Sequence, residues 1–126
     1  MPEMTMLEAI NVALHQEMER DPRIVLFGQD VAVSGGVFRA TEGLLEKFGG
    51  DRVVDTPLSE AAIAGAAVGL AAAGAVPVAE IQFLAFAYQA FHQIAGQMAR
   101  LRYRTHGRFA APITLRAPFG GGVRTP

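Results

Sequence analysis

The chain has 126 residues, of which 51% are hydrophobic, and this is enough for one globular domain with a buried core. Its 11 basic and 12 acidic residues give a net charge of −1, which argues against the broad positive field of a nucleic-acid-binding protein. It contains no cysteine, which excludes a disulfide framework, a thiolate nucleophile and a cysteine-ligated zinc site.

The first part of the chain predicts a helix and then a strand. No basic region precedes an apolar stretch at residues 1–5, so we expect no signal peptide and a cytoplasmic location. Thr5 to Glu8 form a capping-box pattern, and apolar residues at helical spacing continue until Asp21 and Pro22. The apolar run at residues 24–27 predicts a strand that is buried on both faces.

Two short elements follow this strand, and then a long uncharged segment. A helical piece is predicted over residues 41–48 and a second strand over residues 52–55. Residues 61–79 carry no charge and just reach the length of a membrane span, but Ala and Gly dominate the segment. We therefore predict a buried core helix, in which Gly65 and Gly69 on one face let a neighbouring backbone come close.

The second half repeats the alternation of strand and helix. Residues 76–81 predict a third strand, residues 85–103 a long helix with a charged last turn, and residues 113–116 a fourth strand. A glycine-rich loop follows at residues 117–123. Apolar strands that alternate with helices predict an α/β fold with a mainly parallel sheet flanked by helices.

Polar and glycine residues follow each of the four predicted strands. In an open parallel sheet, ligands bind beyond the carboxyl ends of the strands, which all lie at one edge. The sequence therefore predicts a ligand pocket at this edge, built from polar side chains beside aromatic and glycine residues. The segments that reach it are residues 28–30, 56–60, 82–83 and 118–122.

Glu60 stands alone at the start of the uncharged helix. A carboxylate that is buried against Ala and Gly is costly unless another group hydrogen-bonds to it, so a partner is expected. The alternative is that Ser59 is an N-cap and Glu60 a first-turn acid favoured by the helix dipole. The local pattern by itself favours this second interpretation.

Other chemistries have little support in the sequence. There is no phosphate-binding P-loop motif and no complete nucleophile elbow. His15, His92 and His106 are scattered, and His15 with Glu19 is a weak metal pair. The arginines between residues 100 and 108 could contact nucleic acid, but a charged helix end explains them adequately.

Five stretches, taken in order and spacing, resemble the beta subunit of thiamine-diphosphate-dependent 2-oxo acid dehydrogenases. They are Phe-Gly-Gln-Asp-Val at residues 27–31, Gly-Gly-Val-Phe-Arg at 35–39, Asp-Thr-Pro-Leu-Ser-Glu at 55–60, Ala-Glu-Ile-Gln-Phe at 79–83 and Leu-Arg-Tyr-Arg at 101–104. The second and fourth look more like the branched-chain type than the pyruvate type. The resemblance implies that residues 1–126 are an incomplete pyrimidine-binding, transketolase-like domain with a thiamine-diphosphate-binding fold truncated at its C-terminal side, and that a C-terminal domain is absent.

The resemblance also implies roles for individual residues. Glu60 matches the catalytic glutamate that hydrogen-bonds the aminopyrimidine ring of thiamine diphosphate, although the family often has an acid where Gln29 stands. Backbone carbonyls of Ile113 and Thr114 are weak candidates for potassium, and no other metal ligand is implied. The cofactor-binding positions are Gln29, Leu58, Ser59, Glu60, Gln82, Phe86, Ala87, Tyr88 and Gln89, and the substrate-facing positions are Phe83, Leu84, Ala85 and Phe86.

The implied reaction is oxidative decarboxylation of a small 2-oxo acid, with acyl transfer to lipoyl groups. The implied partners are an alpha subunit that holds the diphosphate and its magnesium, a second beta subunit and a lipoyl acyltransferase core, without nucleic acid or membrane. The family's catalytic histidine would follow Pro126. Two alternatives stay open: a non-catalytic fragment that docks on an alpha subunit, and part of another transketolase-like thiamine enzyme.

Overall fold

The computed structural model describes residues 3–120, and its centre is a sheet of four parallel strands in the order β2-β1-β3-β4. Leu26 aligns with Val53 on one side and with Val78 on the other, and Val78 aligns with Thr114. The predicted parallel α/β fold is therefore confirmed. The strands are β1 (Ile24–Gly28), β2 (Val53–Asp55), β3 (Val76–Glu80) and β4 (Thr114–Arg116).

Helical segments connect the strands. They are the α-helices α1 (Met6–Arg20), α2 (Leu44–Phe48), α3 (Glu60–Ala72) and α4 (Leu101–Arg104), a 3₁₀ helix (Leu84–Ala90) and a π-helix (His92–Met98). No helix among residues 3–120 combines the length and the apolar character that crossing a membrane requires.

The sheet is covered on both faces, as the continuous apolar strands predict. On one face, Met18 of α1 packs in a cluster with Leu26 and Val53. The predicted capping box starts α1: the Glu8 amide donates to the Thr5 hydroxyl oxygen at 3.2 Å, and the Thr5 amide donates to the Glu8 carboxylate at 2.7 Å. These two bonds satisfy backbone donors that a free helix end leaves unpaired.

On the other face, α3 packs against β1 and β3, with Ile63 and Ala67 in contact with a cluster that contains Phe27. The prediction of a buried core helix is confirmed only in part, because within the described residues Ala61, Ala62, Ala66 and Gly69 of α3 are exposed. A methyl group added at Gly69 would meet nothing within 4 Å, and one at Gly65 would meet only the Gln93 side chain. No neighbouring backbone among residues 3–120 approaches these glycines.

The predicted long helix over residues 85–103 is helical but not one α-helix. It begins as the 3₁₀ helix, continues as the π-helix and ends in α4. The Ala99 amide donates to the Ile94 carbonyl at 3.0 Å, a wide turn that includes Gly96. Apolar residues at roughly helical spacing cannot distinguish either winding from an α-helix, because each period differs from that of the α-helix by less than one residue per turn.

Candidate functional site

The four strands end side by side and form one rim. Gly28 aligns with Asp55 on one side and with Glu80 on the other, and Glu80 aligns with Arg116. The predicted common edge is therefore confirmed for the segments after all four strands, up to Gly120. Residues 121 and 122 of the predicted rim lie outside the described residues.

Gly28 allows two strands to approach closely at this rim. A Cβ atom at this position would lie 2.6 Å from the backbone carbonyl oxygen of Glu80 and 3.1 Å from its Cβ atom. Side chains essentially never approach a backbone oxygen so closely. The glycine is thus required by the packing of β1 against β3, at the point where the chain leaves β1 for the site.

The loop after β1 is fixed by the end of β2. The Asp55 carboxylate accepts hydrogen bonds from the amides of Ala32 at 2.7 Å and Val33 at 3.1 Å. The Gly36 amide donates to the backbone carbonyl of Asp30 at 2.8 Å, and Asp30 itself has a left-handed backbone with a φ of 58°. Aspartate is one of the few residues that tolerates this conformation. Asp30 belongs to a predicted rim segment, but neither Asp30 nor Asp55 was predicted to be a site residue.

Asp30 is joined to a predicted cofactor-binding residue. The Gln82 side-chain amide donates through Nε2 to Asp30 Oδ2 at 2.9 Å, across 52 residues of sequence. Because this bond occupies the donor end of the amide, the carbonyl oxygen Oε1 of Gln82 remains as an acceptor. Gln29, which precedes Asp30, is half-buried at the same rim.

Glu60 is the first residue of α3 and is almost removed from solvent, with 6% of its surface exposed. None of the side-chain hydrogen bonds or ion pairs within residues 3–120 involves its carboxylate. Ser59 occupies the N-cap position, but its side chain makes no capping bond. The hydroxyl oxygen of Thr56 is also buried, without a partner in the described part of the chain.

The burial of these polar groups bears on the two interpretations of Glu60. An acid whose only role is to interact with the helix dipole is normally solvated. Leaving a buried polar group unpaired costs about 1–3 kcal/mol. Beside one helix start, the described residues therefore leave a largely buried acid and a buried hydroxyl without a bonded side chain, which is typical of a binding site. That Glu60 binds a group outside the described residues stays a prediction.

Three phenylalanine rings pack together, and one of them also contacts the cluster that contains α3 residues. The Phe83 ring meets the Phe86 ring edge-on at 5.8 Å, and the Phe38 ring at 5.9 Å. Phe86 and Ala87 pack against a cluster that includes Ala64, one turn after Glu60. Phe38, on the loop after β1, was not predicted; no local pattern separates it from other surface phenylalanines.

The remaining predicted positions face outward in this chain. Leu58 is 67% exposed, Tyr88 is 82% exposed and Leu84 is 46% exposed. Ala85 and Gln89 are exposed as well. The structure therefore gathers part of the predicted set near the rim and leaves these five at the surface.

A second feature of the rim is an ion pair between Glu80 and Arg116, at the ends of β3 and β4. Glu80 is 3% exposed, and this burial raises the pKa of its carboxyl group, while the charge and hydrogen bond of Arg116 oppose the rise. The pair lines a cleft of about 550 Å³ that also contains Met6, Phe38 and Phe119. Sequence analysis did not identify this pair.

Residues 3–120 offer few candidate metal ligands close to one another. This part of the chain has no group of three or more His, Asp or Glu side chains that could hold a metal ion. Ile113 and Thr114 lie at the start of β4, and their role as potassium ligands stays a prediction.

The chain is similar to known proteins along its whole length. Residues 2–126 match the sequence profile of the family described as "Transketolase, pyrimidine binding domain". The pyruvate dehydrogenase E1 component subunit beta of Staphylococcus epidermidis is 58% identical to the chain over 126 residues. The proteins of the same name from Bacillus subtilis and Staphylococcus aureus are each 56% identical over 126 residues. Each match covers the whole chain, which spans 39% of the length of these relatives.

Proposed function

We propose, since the chain belongs to the transketolase pyrimidine-binding domain family, that residues 1–126 are the pyrimidine-binding part of the beta subunit of a thiamine-diphosphate-dependent 2-oxo acid dehydrogenase. The reaction would be oxidative decarboxylation of a 2-oxo acid, followed by acyl transfer to a lipoyl group. The observation that carries this proposal is Glu60, which is 6% exposed at the rim of the sheet and forms no side-chain hydrogen bond or ion pair within residues 3–120.

The residues at the rim fit the aminopyrimidine end of this cofactor. Glu60 offers a carboxylate for a ring nitrogen, and the unpaired Thr56 hydroxyl lies in the same segment. Gln82 offers its carbonyl oxygen as an acceptor, and Phe86 offers an apolar surface. When bound, thiamine diphosphate supplies a nucleophilic carbon for the 2-oxo group and accepts the electron pair released with carbon dioxide.

In the mechanism, this chain would orient the cofactor and handle a proton. The Glu60 carboxylate would hold a proton between itself and the ring nitrogen, and low solvent exposure strengthens such a bond. Asp30 fixes the amide of Gln82, so that its acceptor keeps one orientation. Phe83 and Phe86, in edge-on contact, would exclude water from the substrate side.

The rest of the active site would come from other parts of the assembly. We place the diphosphate and its magnesium on an alpha subunit, and the catalytic histidine in the beta subunit after residue 126. The full assembly would contain two alpha and two beta chains, bind a lipoyl acyltransferase core and act in the cytoplasm. The names of the relatives, which are subunits of a larger enzyme, support this arrangement.

The 2-oxo acid is either pyruvate or a branched-chain acid. The names of the relatives support pyruvate, whereas the segments at residues 35–39 and 80–83 support the branched-chain type. The test is to assemble the full-length beta subunit with its alpha subunit and to measure carbon dioxide release from pyruvate, 3-methyl-2-oxobutanoate and 4-methyl-2-oxopentanoate. We expect turnover of at least one acid that depends on added thiamine diphosphate. A stable assembly that turns over none of them would support a non-catalytic docking role instead.

A further inference from the structure

Charge is distributed unevenly along this nearly neutral chain. All 12 acidic residues lie before residue 81, and every basic residue after that point is an arginine. Arg116 is the only one of them within the described residues that is paired with an acid, namely Glu80. Within residues 3–120, the positive charge of the second half is therefore left largely without compensation.

The uncompensated charge is concentrated in residues 100–109, which we call the basic segment. Arg100, Arg102 and Arg108 are exposed, and their side chains form no ion pair or hydrogen bond within residues 3–120. Arg104 instead donates to the carbonyl oxygen of Gly96 and to the side-chain oxygen of Gln97, both at 3.1 Å. By contrast, Arg20, Arg23 and Lys47 in the first half each pair with an acid.

Large aromatic side chains lie beside these arginines in the sequence. Tyr103 is 86% exposed and Phe109 is 46% exposed. The backbone that carries them is held in place: the Gly107 amide donates to the Arg102 carbonyl at 2.8 Å, and the Phe109 amide donates to the Thr105 hydroxyl at 3.2 Å. A surface that is already ordered loses less conformational entropy when it binds.

We propose that the basic segment docks a protein partner whose contact surface carries carboxylates around an apolar centre. Arginine and aromatic residues are enriched in protein interfaces and lysine is depleted, and the basic segment contains arginines, Tyr103 and Phe109 but no lysine. Carboxylates on the partner would compensate the charge that the described residues leave unpaired. Within the proposed function, this partner is the alpha subunit, and the inference rests on that proposal only for the identity of the partner.

Two other occupants fit the segment less well. A nucleic acid would call for a basic protein, whereas this chain has a net charge of −1 and a pI of about 6.3. A second copy that used the same surface would bring arginines against arginines, because a two-fold symmetric contact pairs like with like. An acidic protein surface would compensate the charge of the basic segment. It requires neither a basic chain nor contacts between arginines.

The test compares dissociation constants of the full-length beta subunit for the alpha subunit at low and at moderate salt. In the test variant, Arg100, Arg102 and Arg108 are all replaced by glutamine. We expect binding to weaken by at least about 10-fold, with a smaller dependence on salt than in the parent, because direct charge contacts are lost. Replacement of the same three residues by lysine should restore most of the salt dependence.

A control variant separates local contact from net charge. Arg20→Gln, Arg23→Gln and Arg39→Gln together remove the same charge, but from arginines that already bond within the chain. We expect this control to bind within about twofold of the parent. Thermal melting of each free beta subunit checks that the variants are folded.

Each outcome bears on one proposal. Equal affinity of the parent and the test variant, or an equal loss in the control, overturns the docking inference. Competition by an RNA oligonucleotide for the basic segment, or self-association of the beta subunit that the test variant abolishes, overturns it in favour of another occupant. A parental assembly that forms normally but decarboxylates no 2-oxo acid refutes the proposed function and leaves the docking inference intact.

Discussion

Replacement of Arg116 by methionine tests the buried ion pair at the rim. Methionine keeps most of the apolar stem of arginine but removes the charge that faces Glu80. Glu80 is 3% exposed, so its carboxylate would be left buried and unpaired. Breaking such a pair costs about 3–5 kcal/mol, and we expect a loss near about 3 kcal/mol because the Arg116 side chain is 19% exposed and partly solvated.

The loss should depend on pH in a defined direction. Burial raises the pKa of Glu80 above its ordinary value of 4.5, so the folded state binds this proton more tightly than the unfolded state does. The contribution of Glu80 to stability is therefore fully present below the unfolded pKa and is lost as pH rises through the folded pKa. Without Arg116 the folded pKa rises further. The cost of Arg116→Met should consequently be smaller at about pH 5 than at about pH 8.

Urea denaturation of the parent, Arg116→Met and the double variant Glu80→Gln, Arg116→Met measures this effect. The double variant leaves no buried charge, so its pH dependence should be weaker than that of Arg116→Met. As a control, Arg20→Met removes an exposed partner of Glu17 and should leave stability almost unchanged. A loss below about 0.5 kcal/mol for Arg116→Met at both pH values would refute the account of the pair.

Two further predictions concern the rim and the end of α1. Gly28→Ala should destabilise the protein by about 1–3 kcal/mol in urea denaturation, because its Cβ would lie 2.6 Å from the Glu80 carbonyl oxygen. The control Gly50→Ala should leave stability unchanged, because its Cβ would meet nothing within 4 Å. Equal effects of the two substitutions would contradict the first prediction. The hydrogen bonds from Arg23 lower the pKa of Asp21 to about 2, so Asp21→Asn should lower the melting temperature above about pH 4, and the difference should fade as pH falls toward 2. A melting-temperature difference that does not change with pH would contradict the second prediction.

The sequence predicted the elements whose signals are local. The capping box at Thr5 and the end at Asp21 place α1, and the short apolar runs place the strands to within one residue. The α2 helix is shorter than predicted, since it begins at Leu44 after a turn at Gly43 with a φ of 79°. The burial of α3 was overstated, because apolar composition does not tell how much of a helix neighbouring segments cover.

The candidate site was predicted only in part, for a similar reason. Glu60 was singled out because an acid at the start of an uncharged segment is visible in the sequence, but its proposed cofactor role came from the family resemblance and stays a prediction. The bond from Gln82 to Asp30 spans 52 residues and the ion pair from Arg116 to Glu80 spans 36 residues, and no local pattern encodes either. Such contacts exist only once the parallel strands bring their ends to one rim.

The most direct test of the account is the decarboxylation rate of the assembled enzyme that carries Glu60→Gln in the full-length beta subunit. We predict a rate at least about 100-fold below that of the parent, the scale of a lost acid–base partner, while the matched control Glu46→Gln, at an exposed position on α2, keeps the parental rate. Circular dichroism and the size of the assembly check that both variants fold and assemble. A folded, assembled Glu60→Gln enzyme with a near-parental rate would contradict the central claim that Glu60 activates the cofactor.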